Sequence, residues 1–146
     1  PGEIVDMTVI NTEVMKNHPE FAKALVGAWY ETMARMRGKG ADADEVLTSL
    51  GEAAGTDLGG YRNQLQSTEM YYEPAEGVEF TESEQLIDTM DLVRNFSFDH
   101  GLLGPAAPSP DVVGIAFPGG KVLGDKDNVK LRFSSKYMQM AADGEL

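Results

Sequence analysis

Residues 117–133, FPGGKVLGDKDNVKLRF, hold three glycines and three lysines, a combination that could bind phosphate. Glycine lets the backbone approach a phosphate closely, and lysine neutralises its charge. Gly119 and Gly124 have the spacing of the outer glycines in a nucleotide-binding loop. However, Asp125 stands where that loop carries lysine, and Lys126 stands where it carries serine or threonine. The aspartate would repel a phosphate, so the pattern argues against a nucleotide site.

The residues after these glycines point the same way. A phosphate-binding loop presents the backbone amides of a helix N-terminus, whereas residues 128–133, NVKLRF, alternate as a strand does. The sequences PGG at residues 118–120 and DN at residues 127–128 are typical of turns. We therefore predict a glycine turn between short strands, and no cofactor.

The two histidines of the chain are isolated from each other and from any metal-binding pattern. His18 precedes a proline at a predicted helix start, and His100 precedes a glycine at a predicted helix end. A protein metal site normally needs three or more ligands, so we predict capping and packing roles for both. The chain has no cysteine, which excludes disulfides, thiolate metal sites and cysteine nucleophiles.

No arrangement of catalytic residues stands out. Carboxylate pairs such as Glu82 and Glu84 carry little information in a chain with 24 acidic residues. No serine lies in a G-x-S-x-G setting, and no calcium-loop spacing of aspartates is present. We predict that the chain is not an enzyme.

The overall charge restricts the partners of the chain. Its formal net charge is −12 over 146 residues, which disfavours nucleic acid and acidic membrane surfaces. With 42% apolar residues it can form the core of one ordinary domain. The sequence starts at Pro1 without an initiator methionine or a signal peptide, so we expect a processed protein or a piece of a longer one.

Two elements near the start of the chain have clear signals. Residues 4–10, IVDMTVI, are rich in β-branched side chains and predict a strand, which needs partner strands. A helix is predicted from Pro19 to Gly38, with Asn17 or His18 as its cap. Its apolar stripe comprises Phe21, Leu25, Trp29 and Met33, beside a row of Ala22, Val26 and Tyr30. Trp29 and its neighbour could contact a ligand, but core packing is predicted on such a stripe.

Cap and turn residues locate the remaining elements. Further helices are predicted from Asp42 or Asp44 to Ala54, from Thr56 or Asp57 through Leu65, from Thr81 of the capping box TESE to His100, and after Ser135. Residues 69–80 are predicted to be extended or irregular, because Pro74 and Gly77 break regular structure. Short strands are predicted within residues 112–117 and 129–133. The prediction is a helix-rich α+β fold with four or five helices.

Three stretches of the chain, residues 1–36, 70–104 and 117–146, resemble a known family. They are similar to the C-terminal part of bacterial ABC-transporter solute-binding proteins of the nitrate/sulfonate/taurine type, in particular the branch assigned to urea transport. The sequence NHPEFAKALVGAWYE at residues 17–31 is typical of the wider superfamily. The stretch from GGKVLGDK at residues 119–126 into NVKLRF is the more specific match.

The resemblance implies a type II periplasmic-binding-protein-like architecture, in which two α/β lobes joined by crossover strands enclose a solute. It implies that residues 1–146 form a single domain or a fragment. Residues 1–11 would be a crossover strand, and residues 12–146 the helices and terminal strands of one lobe. Glu3 and Asp6 are the candidate ligand-binding residues, because only the crossover could line the cleft. The alternative for both is a hinge strand without solute contact.

The resemblance also implies partners and a location. They are a small solute such as urea, nitrate or a sulfonate, an ABC permease, and the periplasm. The N-terminal half of the family has no counterpart here, so we expect exposed faces and self-association of this chain. The alternative is a free-standing homo-oligomeric interaction domain without a solute-binding role.

Overall fold

The computed structural model describes residues 4–146 of the chain. Within them lie seven α-helices: α1 (Thr12–Asn17), α2 (Pro19–Arg37), α3 (Ala41–Ala53), α4 (Leu58–Gln66), α5 (Pro74–Glu82), α6 (Glu84–Asp99) and α7 (Lys136–Ala142). Three short strands follow α6: β1 (Gly114–Ala116), β2 (Val122–Leu123) and β3 (Val129–Arg132). The predicted helix-rich α+β class is confirmed. The helices outnumber the four or five expected, because α1 and α5 were not anticipated.

Internal contacts group the described chain into two compact units. The first unit consists of residues 4–9 and Val78–Lys136. The second unit consists of Ile10–Gly77 and Tyr137–Leu146.

The second unit has its core where α2, α3 and α4 meet. Met33 and Met36 of α2 and Leu47 of α3 are buried together, with Tyr61 of α4 packed against them. The boundaries follow the predicted signals closely. Pro19 is the first residue of α2, and Asp57 caps α4 by accepting a hydrogen bond of 2.7 Å from the backbone N–H of Gly60.

Helix α1 was missed, although its cap is visible in the sequence. The side-chain carbonyl of Asn11 accepts a hydrogen bond of 2.8 Å from the backbone N–H of Glu13, which satisfies a free amide of the first turn. His18 holds the N-cap position of α2 as predicted, but its side chain makes no capping hydrogen bond.

The predicted core-facing stripe of α2 is only partly right. Met33 is buried, but Phe21 and Trp29 are about half exposed, at 49% and 50%. Ala22, from the adjacent row, is fully buried. The spacing rule finds an apolar face, but the direction in which that face points depends on which helices pack against it. Trp29 is therefore not the buried core residue that the pattern predicted.

The first unit is built around α6. Leu86, Ile87 and Met90 of α6 are buried with Phe117, which stacks on Phe133 at a ring-centroid distance of 5.2 Å. We call the buried group Leu86, Ile87, Met90 and Phe117 the α6 cluster. Leu86 is completely buried.

The start of α6 corrects two predictions. Its cap is Ser83, whose hydroxyl accepts a hydrogen bond of 3.1 Å from the backbone N–H of Leu86. Thr81, the predicted cap, is buried inside α5. The expected irregular segment is thus helical from Pro74 onward. Pro74 is the first residue of that helix, a position where the missing N–H of proline costs nothing, rather than a break.

The three strands form one small sheet in the order β2–β1–β3. Strand β1 pairs antiparallel with β2 and parallel with β3. Residues 117–121 turn the chain from β1 into β2, and residues 124–128 connect β2 to β3 past the start of β1. Both predicted strand regions are confirmed, whereas β2, only two residues long, lies within the predicted turn.

The strand predicted for residues 4–10 is not present. From residue 4 to residue 11 the described chain has no regular secondary structure and no strand pairing. Ile4 and Val9 are 91% and 74% exposed. A strand of β-branched residues needs a neighbour for its backbone hydrogen bonds, and the small sheet does not include this segment.

Candidate functional site

The predicted ligand-binding residues lie at the start of the chain. Glu3 is outside the residues that the structure describes. Asp6 is exposed within the irregular segment, while its neighbour Val5 packs against the α6 cluster. A solvated carboxylate can accept hydrogen bonds from a solute, but it provides no enclosed site by itself.

The glycine turn uses backbone conformations that favour glycine. Gly119 and Gly120 have φ values of 76° and 86°, a region that side chains other than glycine disfavour. The backbone N–H of Phe117 donates to the carbonyl of Lys121 at 2.9 Å, closing the turn. The ammonium group of Lys121 lies 2.8 Å from a carboxylate oxygen of Glu84. A glycine turn follows β1 as predicted, but it leads into β2 rather than directly to the second predicted strand, and its lysine Lys121 has an acidic partner.

Two other glycines let the β2–β3 connection cross β1. A Cβ on Gly114 would overlap with the carbonyl oxygen of Asp125, and a Cβ on Gly124 would overlap with that of Val113. The backbone N–H of Asp125 donates to the carbonyl of Asp111 at 2.9 Å across this crossing. Of the two glycines in the GxxxxG pattern, Gly124 therefore belongs to a close backbone crossing, whereas Gly119 belongs to the turn before β2.

Arg94 connects α6 to the loop that leads into the sheet. This connection was not predicted from the sequence. Its Nε lies 2.6 Å from Asp91 of its own helix, and its Nη1 pairs with Asp111. Burial alone would lower the pKa of the Arg94 guanidinium, but the hydrogen bonds that it donates to Asp111 and Asp91 outweigh that effect and raise the pKa. Arg94 remains charged, and its side chain is mostly buried.

We expect Arg94→Met to lower the free energy of unfolding by about 1–3 kcal/mol, because two charge-assisted hydrogen bonds are lost. Arg94→Lys is expected to recover only part of this loss, since lysine cannot address both carboxylates with a planar group. Urea denaturation followed by circular dichroism measures both values. Equal stability of the wild type and the methionine variant would show that the bridge contributes nothing.

The histidines occupy helix boundaries. His100 ends α6, and its ring stacks on Phe96 with a centroid distance of 3.9 Å. His18 lies 3.4 Å from a carboxylate oxygen of Glu20, and both side chains are exposed. Within residues 4–146, no three His, Asp or Glu side chains lie close enough together to hold a metal ion.

An open groove of about 330 Å³ lies in the second unit. It is lined mainly by small residues, together with Tyr30, Tyr72 and Glu73. Glu73 forms an ion pair with Arg37. Burial raises the pKa of Tyr30 above its usual value of 10.0, and the negative charge of Glu76 adds to the effect. Tyr30, Tyr72 and Glu73 are the lining residues whose side chains carry polar groups that could contact a ligand in this groove.

The raised pKa of Tyr30 predicts a pH dependence of stability. The native state keeps the Tyr30 proton to higher pH than the unfolded state does. The contribution of this group to the free energy of unfolding is therefore complete below pH 10 and is lost as the pH rises through the native pKa. We expect the free energy of unfolding to fall less steeply above pH 10 in Tyr30→Phe than in the wild type. Urea denaturation between pH 7 and pH 11 tests this, and identical slopes above pH 10 would contradict it.

Comparisons with protein-family models, with curated proteins and with solved structures find no match for this chain. In the part of the chain that the structure describes, no helix has the length and apolar character needed to cross a membrane.

Proposed function

We propose that this chain is the C-terminal part of the solute-binding component of an ABC importer. The solute is a small nitrogen- or sulfur-containing compound such as urea, nitrate or a sulfonate. The proposal rests first on the resemblance of residues 1–36, 70–104 and 117–146 to that family. In this proposal the chain is not an enzyme, its partner is an ABC permease, and its location is the periplasm.

One structural observation supports the proposal most. Large apolar side chains lie exposed along much of the described chain: Ile4, Met7, Val9, Val14, Phe21, Trp29, Leu92, Phe96, Leu102, Leu103 and Leu146. By contrast, Leu86 is the one large side chain among residues 4–146 that is fully buried. Exposed apolar side chains in this number would be removed from water if another part of a longer polypeptide packed on them. Faces of a lobe that are covered by the rest of a longer polypeptide would have this character.

The mechanism follows from the proposed architecture. Closure of two lobes about hinge segments would trap the solute, as in other periplasmic binding proteins. Residues 1–11 would belong to the connection between the lobes, with Glu3 and Asp6 near the cleft. Alone, the chain would carry one side of the cleft, bind solute weakly or not at all, and self-associate through its uncovered surface.

A ligand screen on the full-length polypeptide tests this proposal. Its melting temperature is followed with urea, short amides, nitrate and sulfonates, because a ligand that binds the native state raises apparent stability. We expect a concentration-dependent increase with one of these classes in the full-length polypeptide and no shift in the 146-residue chain. A full-length polypeptide that responds to none of them would contradict the proposed solute class.

A free-standing homo-oligomeric interaction domain is the second candidate, because the same exposed apolar residues would then form subunit interfaces. In that case the gene encodes no second lobe, and none of these solutes would change the melting temperature of the gene product.

A further inference from the structure

Residues 4–10, IVDMTVI, combine the composition of a strand with an unpaired backbone. Five of these seven residues are Val, Ile or Thr, and the segment contains neither Pro nor Gly. Sequences of this kind form strands readily when a partner edge is available. In the described chain the paired strands are β1, β2 and β3. Residues 4–10 therefore have side chains typical of a strand but are not hydrogen-bonded to another strand.

Val5 and Ile10 of the segment are half-buried, and the residues between them are exposed. Val5 packs against the α6 cluster, whereas Ile4 and Val9 are strongly exposed. Residues 5, 7 and 9 share one face of an extended chain, so the contact of Val5 sets the orientation of the segment if it extends. The backbone edge is then presented to an incoming strand, which is the situation in which sheet edges pair between molecules.

The charge of Asp6 selects a register. In an antiparallel pair of two identical segments centred on Met7, Val5 lies opposite Val9, and Asp6 lies opposite Thr8. An in-register parallel pair would place the two Asp6 carboxylates side by side, which is unfavourable. The antiparallel pair also has the two-fold symmetry of a closed dimer.

We propose that residues 4–10 are the self-association element of this chain and form an antiparallel β-pair with the same residues of a second copy. This inference rests on the self-association that forms part of the proposed function, and it names the surface responsible. The main-chain hydrogen bonds of the pair supply affinity, and the aliphatic pairs around Met7 fix the register.

Light scattering over a concentration series, combined with amide hydrogen exchange of residues 4–10, tests the inference. Wild-type chain is expected to become dimeric as concentration rises, with exchange in this segment slowing in parallel. Met7→Pro and Thr8→Pro each remove one backbone N–H group. Successive N–H groups of a strand point to opposite edges, so one of the two variants removes a hydrogen bond of the two-stranded pair. We expect at least one of them to raise the dimer dissociation constant tenfold or more.

Thr8→Val is the matched control, since it keeps the amide and a β-branched side chain and should dimerise like the wild type. Because Met7 and Thr8 are exposed in an irregular segment, the proline variants should keep the circular dichroism spectrum of the monomer. A dimer that is unaffected by both prolines, or unchanged exchange in residues 4–10 on assembly, overturns this inference alone. A monomer at every concentration overturns the inference together with self-association, while solute binding by the full-length polypeptide is judged separately by the ligand screen.

Discussion

Replacing Leu86 with alanine is expected to lower the free energy of unfolding by about 3–5 kcal/mol. Leu86 is completely buried at the centre of the α6 cluster, and its truncation leaves a cavity that the neighbouring residues fill only partly. Such a loss is a large share of the 5–15 kcal/mol typical of a small protein. Amide hydrogen exchange of α6, measured with and without urea, reports the change where it occurs.

Leu92→Ala is the matched control for this prediction. The same substitution is made on the same helix, but Leu92 is 58% exposed. Its expected effect is below about 0.5 kcal/mol, because the apolar surface is already largely in water. Similar losses for Leu86→Ala and Leu92→Ala would mean that the α6 cluster is not the core of the first unit.

Gly124→Ala carries the second large expected effect, about 3 kcal/mol or more. Gly124 has a φ of 72°, and an added Cβ would overlap with the carbonyl oxygen of Val113. The first feature alone costs an L-residue about 1–2 kcal/mol. The second feature forces apart two backbone segments that are hydrogen-bonded between Asp125 and Asp111. Urea denaturation followed by circular dichroism gives the total.

Two further glycines separate these contributions. Gly119→Ala adds a Cβ at a φ of 76° with nothing within 4 Å, so it isolates the conformational cost. Gly114→Ala adds a Cβ that meets the Asp125 carbonyl without a positive φ, so it isolates the overlap. We expect Gly119→Ala to be the mildest of the three. If Gly119→Ala costs as much as Gly124→Ala, the close backbone crossing has no energetic consequence.

Helices with strong local signals could be predicted from sequence. The start of α2 at Pro19 and the cap of α4 at Asp57 depend on residues next to each other in the chain. The end of α6 at His100, before a glycine of positive φ, is equally local. These signals act on free backbone groups at helix ends and need no knowledge of packing.

Three predictions failed, one because a local signal was misread and two because they depend on distant contacts. Pro74 and Gly77 suggested an irregular segment, yet α5 begins at the proline. Trp29 belongs to an apolar stripe, but no local rule states which side of a helix the rest of the protein covers. The strand expected at residues 4–10 needs a partner that the small sheet does not supply.

The candidate site was less predictable than the fold. Arg94 joins Asp91, three residues away on its helix, to Asp111, seventeen residues along the chain, and only the first spacing is visible in a sequence. The reason for glycine at positions 114 and 124 is likewise a close approach of two backbone segments in space, which the sequence does not show. For Glu3 and Asp6 the family resemblance supplies the hypothesis, and binding experiments decide it.

The central claim is that this chain is one part of a larger solute-binding protein, and the DNA that encodes it tests this most directly. Sequencing upstream of the Pro1 codon is predicted to show one open reading frame that continues through another α/β lobe and begins with a signal peptide. A start codon immediately before Pro1, preceded by an in-frame stop, would contradict the claim and favour the free-standing interaction domain.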